Sequence, residues 1–529
     1  MTRRASALQD RIGFDRAELD QSVVERFALV VAASGERIAL SGAEDELTYR
    51  ALDARTNQLA NAILERTRPG IGCVAYLVDH SPDMVVCALA IIKAAKAYLC
   101  IHPGIPPSAR SDIIADAAPD LLIASARHIA ALRDAADGIP LLCLDELDTD
   151  HDTAAPALAI GPRAPAVVFY TSGSTGRPKG VLKSHRMLLH RAWLCAEYDR
   201  PGFADRQSLL TSCSFASSEA DMFGALLNGA TLALHDIASQ GLVRFGEWID
   251  RQGITILHPP VVLFRRYLAT LDGSDLHRSV RLVTLAGEAV TQDDIRRWRQ
   301  RFALSCGLHH RFSSTEAGHI AVACIEPGET SAAALARRPT PVYDKHLSIE
   351  LDGRPASTGA VGELVVRSQF LADGYWRRPH STEDRFQPAP EGSVERSFRT
   401  GDIGRLLEDG SFEFLGRQDN QVKIRGYRVE LHEIEQAILT VATVSEAAVI
   451  ADSLNGKSIL TAFVVPKAGA EFRVEAVRSA LRSLLPPWKN PSRIHVIATL
   501  PLTPTGKIDK PALRGVAQAK AAIARGAAE

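Results

Sequence analysis

Short apolar, β-branched runs alternate with stretches of helical period along most of this chain, and that alternation narrows the accessible folds more than any other feature. The runs Cys73–Val78, Ala166–Tyr170, Thr231–His235, Thr255–His258 and Arg281–Leu285 have strand length. Helical stretches lie at Thr48–Arg66, Arg186–Tyr198 and Thr291–Phe302, the last opening with Thr291-Gln292-Asp293-Asp294 in the manner of a capped first turn. Strands alternating with helices predict layered α/β units with largely parallel sheets. After about residue 345 hairpin-like strands take over at Gly362–Ser368 and Gly404–Leu415, with Glu408-Asp409-Gly410 as a turn. From about Arg417 the pattern is compact α+β, with strands near Ala447–Asp452 and Ile459–Pro466, and the charged, Ala-rich tail Gln518–Glu529 reads as a frayed helix. No repeat period stands out.

At 529 residues the chain exceeds what one compact core holds, so at least two domains are expected. A net charge of -1 gives no general attraction to nucleic acid or to an anionic membrane. The cysteines at 73, 87, 100, 143, 195, 213, 306 and 324 form no CxxC pair or other metal-ligand spacing, which predicts reduced thiols in a cytoplasmic protein. The first twenty residues carry basic charge but no apolar h-region, so no secretory signal is expected. Met84–Ile92, closed by Lys93 and Lys96, is far short of the roughly 20 apolar residues of a membrane span. It predicts a buried helix.

The sharpest segment is Val168-Phe169-Tyr170-Thr171-Ser172-Gly173-Ser174-Thr175-Gly176-Arg177-Pro178-Lys179-Gly180. A strand runs directly into hydroxyls, glycines and a lysine. Glycines let backbone N–H groups approach an anion, hydroxyls add donors and lysine adds a point charge, so the loop suits a triphosphate. It lacks the GK[ST] ending of a Walker A loop.

This loop resembles the phosphate loop of the adenylate-forming superfamily: acyl- and aryl-CoA ligases, luciferases and peptide-synthetase adenylation domains. Further segments resemble that family in the right order: Ser313-Ser314-Thr315-Glu316, Gly362-Glu363-Leu364, Arg399-Thr400-Gly401-Asp402, the run 416–426 beginning Gly416-Arg417-Gln418-Asp419, and Pro504-Thr505-Gly506-Lys507. The resemblance spans about residues 25 to 515. It implies a large N-terminal core, residues 1–418, of layered α/β subdomains with a small β-barrel-like part. A small mobile α+β domain, residues 419–529, would carry Lys507 and turn about Asp419. The implied reaction joins a carboxylic acid to AMP from ATP with Mg²⁺ and then passes the acyl group to a pantetheine thiol. By resemblance Lys507 reaches the α-phosphate and the substrate carboxylate, Thr315 contacts the α-phosphate, and Glu316 binds Mg²⁺. Thr171, Ser172, Gly173, Ser174, Thr175, Gly176 and Lys179 form the phosphate loop; Asp402 and Arg417 are the implied ribose contacts. Phe312 stands where many relatives carry a tyrosine that stacks on adenine, and Ser313 where glycine is common.

The implied acid pocket departs from the pattern. Relatives taking α-amino acids read Phe-Asp-x-Ser, the aspartate pairing with the substrate ammonium; this chain reads Phe215-Ala216-Ser217-Ser218-Glu219-Ala220-Asp221. An unpaired buried ammonium is costly, so an ordinary α-amino acid is disfavoured unless Glu219 or Asp221 serves an amine placed differently. Ser217, Ala220, His258, Thr284, Ala286, Arg311, His319 and Ile320 match the remaining pocket positions. They favour a small polar acid, such as a hydroxylated or amino-substituted aryl acid. Arg311 holds either a second polar group of the substrate or a structural salt bridge.

Only 22 residues follow Lys507 and no phosphopantetheine serine motif is evident, so the acceptor is expected in another molecule. The endings Pro501–Lys507 and Leu226–Thr231 resemble peptide-synthetase domains, favouring a carrier protein over free coenzyme A. Two readings of other kinds stay open: activation of a non-carboxylate oxyanion such as nitrite, and an inactive nucleotide-binding module.

Overall fold

The computed structural model describes residues 11–43, 45–133, 135–147, 152–171, 178–271, 277–330, 337–351, 353–388, 392–418, 421–424, 427–454, 457–467, 469–501 and 508–526. They divide into two compact units. The first comprises the chain to Pro103, Ile114–Tyr170 and Gly180–Gly416; the second comprises Gly104–Ile113, Thr171–Lys179 and the chain from Arg417.

The first unit is built on two large sheets. One orders its strands Gly374–Tyr375, Lys179–Ser184, Pro165–Thr171, Ala97–Cys100, Cys73–Leu77, Leu121–Ala124 and Leu141–Cys143, and is parallel from Pro165–Thr171 outward. The helix Pro82–Lys93 follows the strand Cys73–Leu77; every residue from Met84 to Lys93 is buried. Lys93 closes that apolar run because its ammonium reaches Asp53 and Asn57, at 2.6 Å each. This longest apolar stretch of the sequence is the expected buried helix. No helix among the described residues is long and apolar enough to cross a membrane.

The other large sheet has nine strands and is parallel only in its middle, from Ile38–Ser41 through Thr231–Leu234, Arg206–Leu209, Ile256–Leu257 and Leu282–Ala286 to Gly307–Ser314. Its ends are antiparallel, which makes the sheet more mixed than the alternation of the sequence implies. The cause is local. Gly307–Ser314 turns back through residues 315–317 into Gly318–Ile325, and a tight turn permits only antiparallel pairing. A barrel-like antiparallel sheet follows, containing His346–Leu351, Gly362–Ser368, Arg396–Leu406 and Phe412–Arg417, with the last two joined through Gly410 at φ 76°. Gly362 is required by close approach, since a Cβ there would lie 2.4 Å from the Glu350 carbonyl oxygen.

The second unit centres on Val444–Leu454, Lys457–Pro466 and Arg493–Val496. Side chains alternate across this sheet as the strand period of two demands. Ala447 and Val449 join Ile434, Ile438, Val477 and Leu481 of two helices on one face. Ala448 and Ile450 join Leu513 and Ala517 of the helix Lys510–Gly526 on the other.

Candidate functional site

Phe312, Ser313, Thr315 and Glu316, the expected nucleotide contacts of the first unit, sit on a hairpin. Its strands shift register between Phe312 and Ser313, a local irregularity that re-aims the side chains following it. Gly318 takes φ 68° and the Ser314 hydroxyl accepts the Ala317 N–H at 3.0 Å, closing the turn that holds Thr315 and Glu316. Glu316 is fully buried, and the Tyr375 hydroxyl donates to its Oε1 at 3.1 Å. A carboxylate fixed in a buried turn is the hard oxygen donor that Mg²⁺ requires. Thr315, Ser313 and Phe312 are half-buried, and the Phe312 ring lies 5.4 Å from that of Phe412.

Two sequence motifs prove to be neighbouring strands. Glu363 pairs in register with Ile403; its Oε1 accepts the Gly401 N–H at 2.9 Å and its Oε2 binds Arg399 at 2.6 Å. Thr400 donates to the Leu364 carbonyl at 2.8 Å and accepts the Asp402 N–H at 3.0 Å. Thus Glu363 and Thr400 fix the backbone that presents the buried Asp402. In the second unit Thr171 and Lys179 flank the glycine-rich loop, with the Thr171 hydroxyl 3.5 Å from the Lys179 carbonyl, and Arg417 is half-buried at a strand end. Ser172, Gly173, Ser174, Thr175, Gly176, Asp419 and Lys507 lie outside the described residues.

Of the expected acid-pocket residues, half-buried Phe215, Ala216 and Ser217 lead into the helix Ser218–Leu226, where Ala220 is buried. The Ser218 hydroxyl anchors this approach by donating to the Phe215 carbonyl at 2.7 Å. Every acidic group of this helix is already engaged. Glu219 takes both bonds of the fully buried Lys183 ammonium, at 2.8 and 2.7 Å, with Arg191 at 3.7 Å. Asp221 binds His258 Nδ1 at 2.6 Å and Gln207 at 3.2 Å.

Arg311 makes a buried ion pair with Asp199, which also binds His309 Nδ1 at 2.8 Å. Of the two roles open for Arg311, the geometry supports the salt bridge. Burial opposes its charge, but Asp199 outweighs it and pushes the guanidinium pKa up. Arg311 also lies 3.1 Å from His319 Nε2. Burial, then Arg191 and Arg311, hold His319 well below the usual imidazole range, so its ring is neutral. A guanidinium only donates, so Nε2 accepts and the proton resides on Nδ1. Among the described residues that buried Nδ1 has no hydrogen-bond partner, and neither has the buried hydroxyl of Thr284. Thr284 and Ala286 stand in register with His309 and Arg311, while Ile320 is fully buried beside His319. The partners Lys183, Arg191, Asp199 and Glu363 escaped the sequence reading of roles. Lys183 left a signal, a lysine inside the apolar strand Lys179–Ser184, whereas Asp199 left none.

The chain matches the model of the AMP-binding enzyme over residues 27–376 and that of the AMP-binding enzyme C-terminal domain over 433–507. It is 35% identical over 506 residues to a component of the linear gramicidin synthase of Brevibacillus parabrevis, covering 94% of this chain and 10% of that protein. Bacitracin synthase 2 of Bacillus licheniformis is 32% identical over 480 residues, covering 88% and 18%. The chain therefore spans between a tenth and a fifth of the length of these curated relatives. Among solved structures, holo-PA1221, an NRPS protein containing adenylation and PCP domains, superposes with a TM-score of 0.80 at 25% identity, covering 93% of this chain and 84% of that one. The amide bond synthetase McbA from Marinactinospora thermotolerans shares the fold, with a TM-score of 0.79 at 24% identity over 93% and 99% of the two chains. With a family model matched over more than half its length, this chain belongs to the AMP-binding enzyme family, the adenylate-forming ligases that its ordered motifs resemble.

Proposed function

We propose that this chain adenylates a small polar carboxylic acid without an α-ammonium group, an aryl or otherwise non-α-amino acid, and hands it to the pantetheine thiol of a separate carrier protein. The substrate carboxylate attacks the α-phosphorus of ATP and pyrophosphate leaves. The thiol sulfur then attacks the acyl carbon, AMP leaves, and the thiol proton passes to solvent. Thr171, Ser172, Gly173, Ser174, Thr175, Gly176 and Lys179 hold the phosphates, Thr315 the α-phosphate, Phe312 and Ser313 the base side, and Asp402 with Arg417 the ribose. Lys507 offsets charge building on the phosphoryl oxygens. Mg²⁺, held by Glu316, would neutralise phosphate charge. Asp419 is the hinge that brings Lys507 in and takes it away.

One observation carries the choice of acid. Ala216 supplies no carboxylate, and the nearby buried carboxylates Glu219, Asp221 and Asp199 are bound to Lys183, His258, and Arg311 with His309. An ammonium buried there would stay unpaired, at several kcal/mol. The spare Nδ1–H of His319 and the Thr284 hydroxyl favour a hydrogen-bonding substituent. The peptide synthases among the relatives support a carrier acceptor over coenzyme A.

ATP–pyrophosphate exchange across a panel of acids tests this. Exchange with hydroxylated or amino-substituted aryl acids, and acyl transfer to a phosphopantetheinylated carrier in preference to coenzyme A, are expected. Exchange confined to α-amino acids would overturn the reading.

A further inference from the structure

His309 and Cys324 are directly paired residues of the antiparallel hairpin, so their side chains emerge on one face of the sheet. Glu326 follows the end of the second strand and is exposed. One ligand atom from each of the three lies within 4.8 Å of the others, the only such grouping found among the described residues. Consecutive spacing hides it, because the imidazole and thiol meet by strand pairing across fifteen positions.

The imidazole is already oriented. Asp199 binds His309 Nδ1 at 2.8 Å and is itself held by Arg311, which leaves Nε2 as the ring nitrogen able to ligate, in a buried ring that also hydrogen-bonds Cys324. A carboxylate on the far nitrogen is the usual support of a metal-bound histidine. Arg337, near the Cys324 carbonyl, has its charge matched by Glu329 at 2.9 Å.

We infer that His309, Cys324 and Glu326 form a binding site for a transition-metal dication of the zinc class, distinct from the Mg²⁺ position proposed at Glu316. One nitrogen, one thiolate and one carboxylate make a three-ligand set suited to Zn²⁺, with a fourth position for water. Around a tetrahedral ion with bonds of roughly 2.0–2.3 Å, ligand atoms lie about 3.3–3.7 Å apart. Drawing the three onto one ion therefore takes a movement of about one ångström, which an exposed glutamate side chain supplies by rotation. Binding replaces the thiol S–H and the imidazolium Nε2–H by bonds to the metal and releases both protons to solvent, while Nδ1–H stays on Asp199.

Cobalt(II) is the probe, added to full-length, chelator-treated protein without nucleotide and with excess Mg²⁺. One equivalent should bind with a thiolate-to-cobalt charge-transfer band, and Zn²⁺ should displace it. Cys324→Ser should abolish the band, and Glu326→Gln, an exposed change that spares the fold, should weaken binding roughly tenfold or more. A wild-type spectrum without the band overturns the proposal. So does a band that survives in Cys324→Ser with unchanged affinity.

Discussion

Two glutamates, Glu219 and Glu316, are equally withdrawn from water but are held in different ways. Glu219 on the acid side is clamped by the Lys183 ammonium with Arg191 beside it, so its charge is matched from within the protein. Glu316, the expected Mg²⁺ ligand, is positioned by a backbone turn and by the Tyr375 hydroxyl, with the Lys183 charge acting on it as well. The difference separates a carboxylate matched by its own ion pair from one to which the proposed reaction assigns Mg²⁺. Burial alone would not distinguish them.

The largest expected effect falls on the first. Glu219→Gln keeps shape and volume but leaves buried Lys183 and Arg191 without their counter-charge, and should cost roughly 3–5 kcal/mol in urea unfolding. Adding Lys183→Met should recover part of that loss, since replacing a buried pair is far less harmful than halving it. A single variant as stable as wild type would erase the distinction. Glu316→Gln should do the reverse: a midpoint shift smaller than that of Glu219→Gln, because a glutamine oxygen still accepts from Tyr375, with ATP–pyrophosphate exchange down about 10²–10³-fold. Lys507→Ala is expected to match it in exchange and in stability. Equal damage to stability and exchange in both would show that the turn, too, is structural.

The same contrast explains what the sequence revealed. Features governed by local chemistry were legible: the capped helix after Thr291, the buried helix 82–93 and the ordered motifs. Features governed by pairing across long separations were not. Nothing near Asp199 announces that it will meet Arg311, 112 positions away, and nothing near Lys183 announces Glu219. Glu363 was visible as part of a motif, but its grip on Arg399 and Gly401 emerges only once the two strands lie side by side. Strand direction in the nine-stranded sheet was masked for a related reason, since alternation reports elements and only a tight turn reports reversal.

Acid should sharpen the comparison by loading a buried histidine two positions from Lys183. His185 opens the helix that carries Arg191, is fully buried, and accepts the Val23 N–H on Nδ1 at 3.1 Å, which requires the neutral ring. Burial pushes its pKa down to about 4. The unfolded chain therefore takes up a proton near 6.5 that the folded chain refuses until about 4, and stability falls as pH drops through that window. Between pH 7.5 and 5 this histidine should account for about 2 kcal/mol. His185→Gln, which keeps an acceptor for Val23, should flatten the pH dependence of the urea midpoint by that amount. An unchanged slope would mean that the acid sensitivity arises elsewhere.

The smallest effect provides the calibration. Thr291 caps the helix Gln292–Arg301 through its hydroxyl, and Asp294 returns a bond to the Thr291 N–H at 2.7 Å. Removing that hydroxyl in Thr291→Ala frees the Asp294 N–H, beside the exposed Thr291 and Gln292 from which water can approach, so the loss should be about 1 kcal/mol. Asp294 keeps Arg265, at 2.8 and 2.7 Å, and is not stranded. The urea midpoint should therefore shift by a fraction of the Glu219→Gln shift, with exchange activity unchanged. If the cap proved as costly as the buried glutamate, water would have to be as absent from the helix end as from the Lys183–Glu219 pair. The special status of that pair would then dissolve into an ordinary cost of losing any hydrogen bond.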